Sequence, residues 1–274
     1  MAQTGHLTRT SMAAGEPWLS PVTRLRIIIL VAVIGTWELV AASGLLLRDV
    51  VPSTLTIGRA LVELLGHPDL KVTLAGYVLW IPAFYWHLYV TVSEVVIGLV
   101  IGGSMGLAVG LLLGANPFLA KAFERFLYYL GPTPKIVFFP VMIMWFGVGP
   151  ESKIAMGTLS CFFPIVLSAA AGMRQIESVL IRVGRSFRLN TWQMVTKIYL
   201  PAMREPIVNG VRLGMGVAMI GTLLAETKLS NKGVGFMIID AYNTFDMPRM
   251  YAVLLTLFVI AIGANTLVGR ASRG

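Results

Sequence analysis

The stretch RVGRSFRLNTWQMVTKIYLP, residues 182–201, carries four basic residues in a chain that is 56% hydrophobic. It lies between two apolar runs, 154–173 and 207–226, each long enough to cross ~30 Å of hydrocarbon. Basic side chains at the centre of a bilayer cost ~2.5–3.5 kcal/mol each. The stretch is therefore predicted to lie outside the bilayer, between two membrane spans.

The composition as a whole is that of a multi-pass membrane protein. The 274 residues have a mean hydropathy of +0.78 and only 13% charged residues, about half the share in an average soluble domain. The net charge of +9 is explained by the excess of Lys and Arg on the cytoplasmic side of membrane proteins, so we predict no nucleic-acid partner. The single cysteine, Cys161, excludes an intrachain disulfide, and the three histidines lack the spacing of a metal site. We predict no metal.

Hydropathy predicts six spans, at 27–47, 89–114, 135–148, 154–173, 207–226 and 250–268. The third is short and flanked by prolines, and an earlier start near Phe126 is the alternative for it. With the N-terminus inside, basic residues are more frequent in the inner segments than in the outer ones, which favours cytoplasmic N- and C-termini. The segment 70–86 is also apolar, but its Pro82 and modest length favour an interfacial or re-entrant piece over a seventh span. A seventh span would place 182–201 on the outer side.

This pattern predicts one membrane domain with polar ends. The predicted organisation is a cytoplasmic tail at 1–26, a transmembrane domain at 27–268 with an outer connection at 48–88 and an inner loop at 173–206, and a C-terminal tail at 269–274. We interpret 27–47 as an uncleaved anchor. The alternative is a signal peptide with a weak cleavage site at AASG, 41–44.

The second predicted span carries glycines four residues apart: Gly98, Gly102, Gly106, Gly110 and Gly114. Small residues of this kind let two helix backbones approach closely inside a bilayer. A spacing of four residues drifts by ~40° per step around a helix with ~100° per residue. Since one straight neighbour does not follow that drift, we predict a central helix that touches at least two others.

The inner loop is predicted to form two short helices joined by a turn. Apolar residues recur at helical spacing up to Phe187, and a break follows at RLN, 188–190. Asn190 is then a predicted N-cap, with Gln193 three residues on as the partner of a capping box. Pro201 is predicted to end the second helix. The product is a helix–turn–helix on the inner face of the membrane.

These residues resemble the cytoplasmic EAA loop of ABC importer permeases, whose pattern is E-A-A, three residues, G, nine residues, I-x-L-P. Ile198, Leu200 and Pro201 match the end of the pattern. Arg188 stands where the glycine is expected, and 182–184 stand where E-A-A is expected. The front half of the motif is thus degenerate.

The resemblance extends over most of the chain after residue 26. The segments that carry it are VPSTLTIGRALVELL at 51–65, 117–154, FFPIVLSAAAGMRQI at 162–176, 200–226 and KGVGFMI at 232–238. They are similar to the nitrate/sulfonate/taurine type of binding-protein-dependent permease. The fold class that this implies is an all-α integral membrane protein, with six transmembrane helices in the type I ABC importer permease fold and a cytoplasmic helix–turn–helix coupling loop.

The resemblance also implies a mechanism and partners. A second permease subunit, two cytoplasmic ABC ATPases and an extracytoplasmic binding protein would assemble with this chain in a prokaryotic inner membrane, and homodimer and heterodimer stay open. Since nothing in the chain matches G-x-x-x-x-G-K-[ST], ATP and Mg are expected in the partner ATPase. The chain is thus expected to be a transporter subunit without cofactor or catalytic residues. The implied ATPase-docking residues are Arg182, Arg185, Ser186, Phe187, Arg188, Leu189, Asn190, Thr191, Trp192 and Pro201.

The arginine at the glycine position leads to a specific hypothesis. A left-handed Arg188 would cost ~1 kcal/mol, so we expect the turn to shift by two residues and Asn190 to take that conformation. Arg182, Arg185 and Arg188 would then meet acidic residues of a matched ATPase. The alternative is contact with anionic lipid headgroups.

The candidates for the substrate pathway are Glu94, Trp145, Phe146 and Glu226, all in the predicted outer half of the spans. A carboxylate inside a bilayer is energetically costly, so it is expected to line a water-filled path or to form an ion pair, here with Arg212, Lys153 or Lys228. The two aromatic residues fit either a gate or the aromatic belt of the membrane interface. The expected cargo is a sulfonate- or nitrate-like anion or another small organic molecule.

Other functions compete with this interpretation. A stand-alone secondary transporter would show inverted repeats, and none is evident. An intramembrane hydrolase would need a base beside its nucleophile, but Ser160 and Cys161 have no histidine at helical spacing. A pathway-forming half of a heterodimer with a degenerate docking loop is the third alternative.

Overall fold

The computed structural model of the protein describes residues 20–44, 50–74 and 77–271. The chain divides into two compact units, Met1–Leu55 and Thr56–Gly274. The helices are α1 Pro21–Ser43, α2 Thr54–Gly66, α3 Ala83–Ala115, α4 Pro117–Leu130, α5 Phe139–Phe146, α6 Pro150–Gln175, α7 Ser178–Ser186, α8 Thr191–Met194, α9 Leu200–Ala202, α10 Arg204–Lys228, α11 Val234–Asn243 and α12 Met247–Ala271. A 3₁₀ turn at Lys135–Phe138, a π turn at Val195–Tyr199 and strands β1 Leu70–Leu74 and β2 Tyr77–Ile81 complete the fold.

Five of the predicted spans appear as long apolar helices. Among the described residues, α1, α3, α6, α10 and α12 are each long and apolar enough to cross a membrane. The helices α3, α6, α10 and α12 exceed their predicted bounds by a few residues at each end, whereas α1 begins six residues before the predicted span 27–47 and ends at Ser43, before the left-handed Gly44. A sixth span arises only if two bent helices are counted together.

The third predicted span, 135–148, is not a single helix. Asn116 caps α4 by accepting hydrogen bonds from the N–H groups of Phe118 and Leu119 at 3.0 and 3.4 Å, and α4 meets the 135–146 segment at 94°. Gly131, Pro132 and Pro134 lie at the bend, where the prolines remove backbone donors. An eight-residue helix such as α5 is ~12 Å long, which is too short to cross a bilayer.

The segment 48–88, predicted to be an outer connection, contains a β-hairpin that the sequence did not predict. β1 and β2 pair antiparallel, with Leu70 opposite Ile81 and Leu74 opposite Tyr77. Asp69 accepts a hydrogen bond at 2.5 Å from the N–H of Ala83, at the start of α3. The alternative prediction of a seventh helical span at 70–86 is therefore wrong, because this segment contains the β-hairpin and the first residues of α3.

The unit Met1–Leu55 consists mainly of α1. Ser20 caps this helix by accepting from the N–H of Thr23 at 3.2 Å. None of the described residues of α1 is buried within the protein, as expected of a helix whose sides face lipid. Glu38 accepts hydrogen bonds from the N–H of Thr54 at 2.7 Å and from the Thr54 hydroxyl.

The core of the second unit is built on close contact of α6 with α3 and α10. A Cβ added at Gly102 would meet Thr158 O at 2.5 Å, and one at Gly110 would meet Ala169 Cβ at 2.5 Å. On the α10 side, a Cβ at Gly157 would meet Thr222 Oγ1 at 2.7 Å. Glycines thus allow backbone contact on both faces of α6. Such close packing stabilises helix association in a membrane, because lipid supplies little hydrophobic drive for it.

The glycine stripe of α3 faces one helix. Gly98, Gly102, Gly106, Gly110 and Gly114 all lie against α6, from Ile154 to Met173. The helix as a whole does touch several others, as predicted, including α4, α10 and α11. The prediction that one neighbour does not follow the stripe was wrong, because all five glycines contact α6, which carries Pro164 within the contact.

Candidate functional site

The loop between α6 and α10 folds as the predicted helix–turn–helix. α7 ends at Ser186, and Asn190 caps α8 in a capping box: its side chain accepts from the N–H of Gln193 at 2.8 Å, and the Gln193 side chain accepts from the N–H of Asn190 at 3.0 Å. Gly184 of α7 packs on the side-chain ends of Met194 and Ile198, which would have to shift to admit a side chain at residue 184. The two helices are thereby held together.

The turn of this loop corrects two predictions. Arg188 itself has φ +51°, while Asn190 is extended with φ −73°, so the turn has not shifted. Leu189 N–H donates to Gly184 O at 3.1 Å and Arg188 N–H to Arg185 O at 2.9 Å. These two hydrogen bonds form a Schellman motif, in which the left-handed residue is normally glycine. Because the outer bond joins residues 184 and 189, the left-handed residue of this motif is residue 188.

Pro201 does not end the second helix. The backbone stays helical through the π turn Val195–Tyr199 and on to Ala202. The wider π turn precedes the proline, whose ring and missing N–H disturb an ordinary α ladder. The helix stops instead at Met203, with φ −100° and ψ 13°.

Most of the predicted docking residues lie together at the exposed end of the loop. Phe187 and Trp192 are 76% and 73% exposed, although large aromatic side chains usually lie inside proteins. Within the described chain, none of the guanidinium groups of Arg182, Arg185 and Arg188 makes an ion pair. Four other predicted docking residues, Ser186, Leu189, Asn190 and Thr191, are exposed or half-buried around the same turn. Pro201 is exposed but lies at the opposite end of the second helix, beside Gly172 and Pro206, so the structure does not bring it together with the others.

The start of α11 is held by side chains from α3 and α10. Gly233 N–H donates to His87 Nδ1 at 3.0 Å, Val234 N–H donates to Thr91 Oγ1 at 2.8 Å, and Gly235 N–H donates to Glu226 Oε2 at 2.7 Å. Thr91 in turn donates to Glu226 Oε1 at 2.7 Å. We call His87, Thr91 and Glu226, with the three N–H groups that they bind, the α11 clasp.

Two of the predicted pathway residues meet beside this clasp. Glu226 is fully buried and Glu94 is 4% exposed, and their carboxyl groups are close enough to interact. Among the described residues, neither forms the ion pair with Arg212, Lys153 or Lys228 that was the alternative prediction. Arg212 donates to Asn265 Oδ1 at 2.7 Å instead.

The predicted aromatic pair lies apart from these carboxylates. Trp145 and Phe146 end α5 and are 72% and 49% exposed, with ring centroids 6.4 Å apart in an edge-to-face arrangement. Neither residue lines the cavity of about 360 Å³ beside Glu94. Sequence reasoning missed His87 and Thr91 because their hydrogen-bond partners lie more than 140 residues away along the chain.

Comparison with known families gives one match that spans most of the chain. Residues 98–273 match the family described as binding-protein-dependent transport system inner membrane components. The matched region includes the glycine stripe, the helix–turn–helix loop, Glu226 and the N–H groups of the α11 clasp.

Individual relatives and a solved structure agree with this match. The chain is 28% identical to the Bacillus subtilis protein described as a putative aliphatic sulfonates transport permease protein, SsuC, over 83% of this chain and 78% of that one. It is 28% identical to the taurine transport system permease protein TauC of Escherichia coli, over 69% and 70% of the two chains. A chain of the inward-facing MetNI methionine ABC transporter superposes with a TM-score of 0.61 at 19% identity, over 68% of this chain and 92% of that one.

Proposed function

Because the chain belongs to the family of binding-protein-dependent transport system inner membrane components, we propose that two copies of it form the translocation pathway of an ATP-driven importer. It is a permease subunit of an ABC transporter and not an enzyme, since its relatives are permeases. ATP is therefore hydrolysed by a separate subunit, and family membership implies a binding protein as a further partner. The proposed stoichiometry is two copies of this chain and two ATPase subunits.

The observation that carries this proposal is the exposed turn between α7 and α8. Two large aromatic side chains and three guanidinium groups without an ion pair in the described chain face outward together there. Aromatic residues and arginine are the residue types that dominate the energy of protein interfaces. This turn is the proposed docking point of the ATPase, with acidic residues as the partners of Arg182, Arg185 and Arg188.

Membership of this family implies the inner membrane of a prokaryote, and the proposed orientation follows from the charges. With both termini in the cytoplasm, 182–201 lies inside and the connection 229–233 lies outside. The excess of basic residues on the inner side supports this orientation. Residues 1–19 and 272–274, parts of the two predicted tails, lie outside the described residues.

The proposed cargo is a small polar solute with an anionic group. The names of relatives support this class, since they include transport of aliphatic sulfonates, taurine and nitrate. A relative from Halalkalibacterium halodurans is named for formylaminopyrimidine, so small organic molecules without a fixed negative charge belong to the alternatives.

The test is purification of the tagged chain from cells that express its neighbouring genes. We expect an ATPase to co-elute, and Arg185→Glu combined with Arg188→Glu to abolish that association and uptake. Arg59→Glu is the matched control, because Arg59 is an exposed arginine on the predicted outer side. Transport by the purified chain without any ATPase would overturn the proposal in favour of a secondary transporter.

A further inference from the structure

Glu94 and Glu226 form a buried pair of carboxyl groups beside the α11 clasp. Their side chains come from different helices, α3 and α10, and both are almost completely buried. A hydrogen bond joins the two carboxyl groups. Because ionised carboxylates are acceptors only, this bond requires a proton on one of the two groups. We call Glu94 and Glu226 the carboxyl pair.

Lys153 of α6 is the charged residue that faces the carboxyl pair from the third helix of the core. Its side chain is buried, its charge acts on both carboxyl groups, and its ammonium donates to the carbonyl oxygens of Val148 and Gly149. If both carboxyl groups were ionised, two negative charges would face one positive charge. An unbalanced buried charge is costly, so one proton on the pair, which makes the three side chains neutral together, is the favoured state.

The hydrogen bonds around the carboxyl pair distinguish its two members. Glu226 accepts on both oxygens, from Thr91 Oγ1 and from the N–H of Gly235, each at 2.7 Å. Oε2 of Glu94 accepts no hydrogen bond from the part of the chain that the structure describes. Donors stabilise the ionised form of a carboxyl group, and a buried carboxylate oxygen without a donor is costly. We therefore expect the negative charge on Glu226 and the proton on Glu94.

A cavity of about 360 Å³ leads from the carboxyl pair to exposed residues. Its wall includes the buried Glu94 and Lys153 as well as Asn231 and Lys232, which are exposed. The two exposed residues belong to the connection 229–233, which lies outside in the proposed orientation. We expect protons to exchange between Glu94 and the outer medium through this cavity.

We propose that the carboxyl pair is a proton-binding site that couples the outer pH to the start of α11. At neutral pH, Glu94 is a neutral acid that donates to the Glu226 carboxylate, whose other hydrogen bonds hold the α11 clasp. In alkaline medium, hydroxide or buffer takes up this proton through the cavity. The two buried carboxylates then repel each other, which separates α3 from α10 at this level and releases Val234 and Gly235 at the start of α11.

Other charged groups near the carboxyl pair do not produce this change. Glu151 and Lys232 are exposed, and salt and water screen exposed charges. His87 accepts the Gly233 N–H through Nδ1, so the clasp already contains a neutral imidazole, which alkaline medium leaves unchanged. Loss of a proton from Lys153 would change the local charge but not the carboxyl groups. The test therefore measures the carboxyl groups themselves.

The site is tested by infrared spectroscopy of the purified full-length chain, without nucleotide or ATPase. An alkyl maltoside detergent is used, because lipid esters absorb in the same region as the C=O stretch of a neutral carboxylic acid. The other carboxyl side chains of the described residues are exposed or half-buried, so they are ionised at neutral pH. We expect a band equal to one neutral acid per chain at neutral pH and its loss in alkaline buffer.

Two variants assign this band. Glu94→Gln should remove it, and the variant should fold because the new amide donates to Glu226 as the neutral acid does. Glu226→Gln should also remove it, since the remaining Glu94 carboxyl group then faces the positive charge of Lys153 alone and ionises. Glu63→Gln, at an exposed carboxylate outside the cavity, is the matched control and should keep the full band.

Hydrogen exchange measures the effect on α11. In alkaline buffer the amides of Val234 and Gly235 should exchange roughly 10- to 100-fold faster in the native chain than in Glu94→Gln, which is the range for loss of a hydrogen bond to a charged group. At neutral pH the two proteins should exchange equally. Each comparison is made at one pH, so the intrinsic pH dependence of exchange cancels.

Absence of the band from the native chain at neutral pH overturns the proposed site, and this measurement needs no variant to fold. A band that persists in Glu226→Gln also overturns it, because burial alone would then keep Glu94 neutral. A band that sodium removes at constant pH assigns the place to a metal cation instead. Equal exchange of α11 in alkaline buffer overturns the coupling to this helix. None of these results depends on transport, so the proton site and the proposed function stand or fall separately.

Discussion

The backbone N–H of Gly235 donates a hydrogen bond at 2.7 Å to Oε2 of Glu226, a carboxylate that is fully buried near the C-terminal end of α10. The same carboxylate accepts from Thr91, whose oxygen accepts from the N–H of Val234. Glu226 therefore connects α3, α10 and α11. Glu226, a predicted residue of the substrate path, thus holds three helices together, and its loss should destabilise the protein.

Glu226→Ala should lower the free energy of unfolding by about 2–4 kcal/mol, because it leaves the Gly235 N–H and the Thr91 hydroxyl buried without acceptors. Glu226→Gln keeps one acceptor oxygen and should cost about half as much or less. Thermal unfolding in detergent measures both. Glu63→Ala, at an exposed carboxylate, is the control and should change stability by less than ~0.5 kcal/mol. Equal stability of Glu226→Ala and the native protein would contradict the role of the clasp.

Gly110→Ala should destabilise the contact between α3 and α6 by about 1–3 kcal/mol. The new methyl group would meet Ala169 Cβ at 2.5 Å and Val166 O at 2.7 Å, so the two helices must separate. Gly263→Ala is the matched control in α12, since nothing lies within 4 Å of a Cβ there. That variant should be neutral or stabilising by up to ~1 kcal/mol, because alanine favours helix. Identical melting temperatures for the two variants would refute the packing argument.

Arg188→Gly should stabilise the turn of the coupling loop by about 0.5–1 kcal/mol, because glycine takes a positive φ without steric cost. Arg188→Ala removes the same charge but keeps the cost, so it should give no gain. Hydrogen exchange of the Leu189 amide, which is bonded to Gly184 O, measures the effect locally. Slower exchange in both variants would show that charge, and not backbone conformation, limits this turn.

Substitution of Gly184 should loosen the packing of α7 on the second helix of the loop. A Cβ at residue 184 would meet Met194 Cε at 3.2 Å and Ile198 Cδ1 at 3.0 Å, which are ends of flexible side chains that must shift. We expect Gly184→Val to weaken ATPase association while the spans stay folded, because the contact lies outside them. Ser178→Val, at an exposed position on the same helix that is not among the predicted docking residues, is the control. Undiminished association in Gly184→Val would contradict the need for a packed loop.

Cysteine labelling tests the proposed orientation. The only native cysteine, Cys161, is fully buried, and a Cys161→Ser background removes its signal. In intact cells an impermeant maleimide should label Asn231→Cys and spare Ser186→Cys, and inverted vesicles should reverse the pattern. Labelling of Ser186→Cys from outside would overturn both the topology and the docking proposal.

Local patterns in the sequence predicted much of this fold. Apolar runs predicted the long helices, because a helix that faces lipid needs apolar side chains along its length. The capping box of Asn190 and Gln193 was predicted because its partners lie three residues apart. Residue contacts of this short range can be deduced from spacing alone.

The features that the sequence did not predict depend on distant contacts or on competition between local preferences. Thr91 and Glu226 are 135 residues apart along the chain, and nothing in either neighbourhood indicates the other. The bend between α4 and α5 was missed because hydropathy over a window does not register a change of direction. The left-handed conformation of Arg188 was missed because two backbone hydrogen bonds of the turn determine which residue takes it. These bonds outweigh the preference of asparagine over arginine for a left-handed backbone.

The crowding around Glu226 also limits how this protein can diverge. A Cβ at Gly233 would collide with the Glu226 carboxyl group, and one at Gly235 would meet Leu223 O at 2.7 Å. A shorter acid would relieve the first collision but neither the contact with Leu223 O nor the strain of a side chain at residue 233, whose φ is +99°, so the acid and both glycines should be inherited together. Lineages in which one of the three is lost should show compensating changes at the other two.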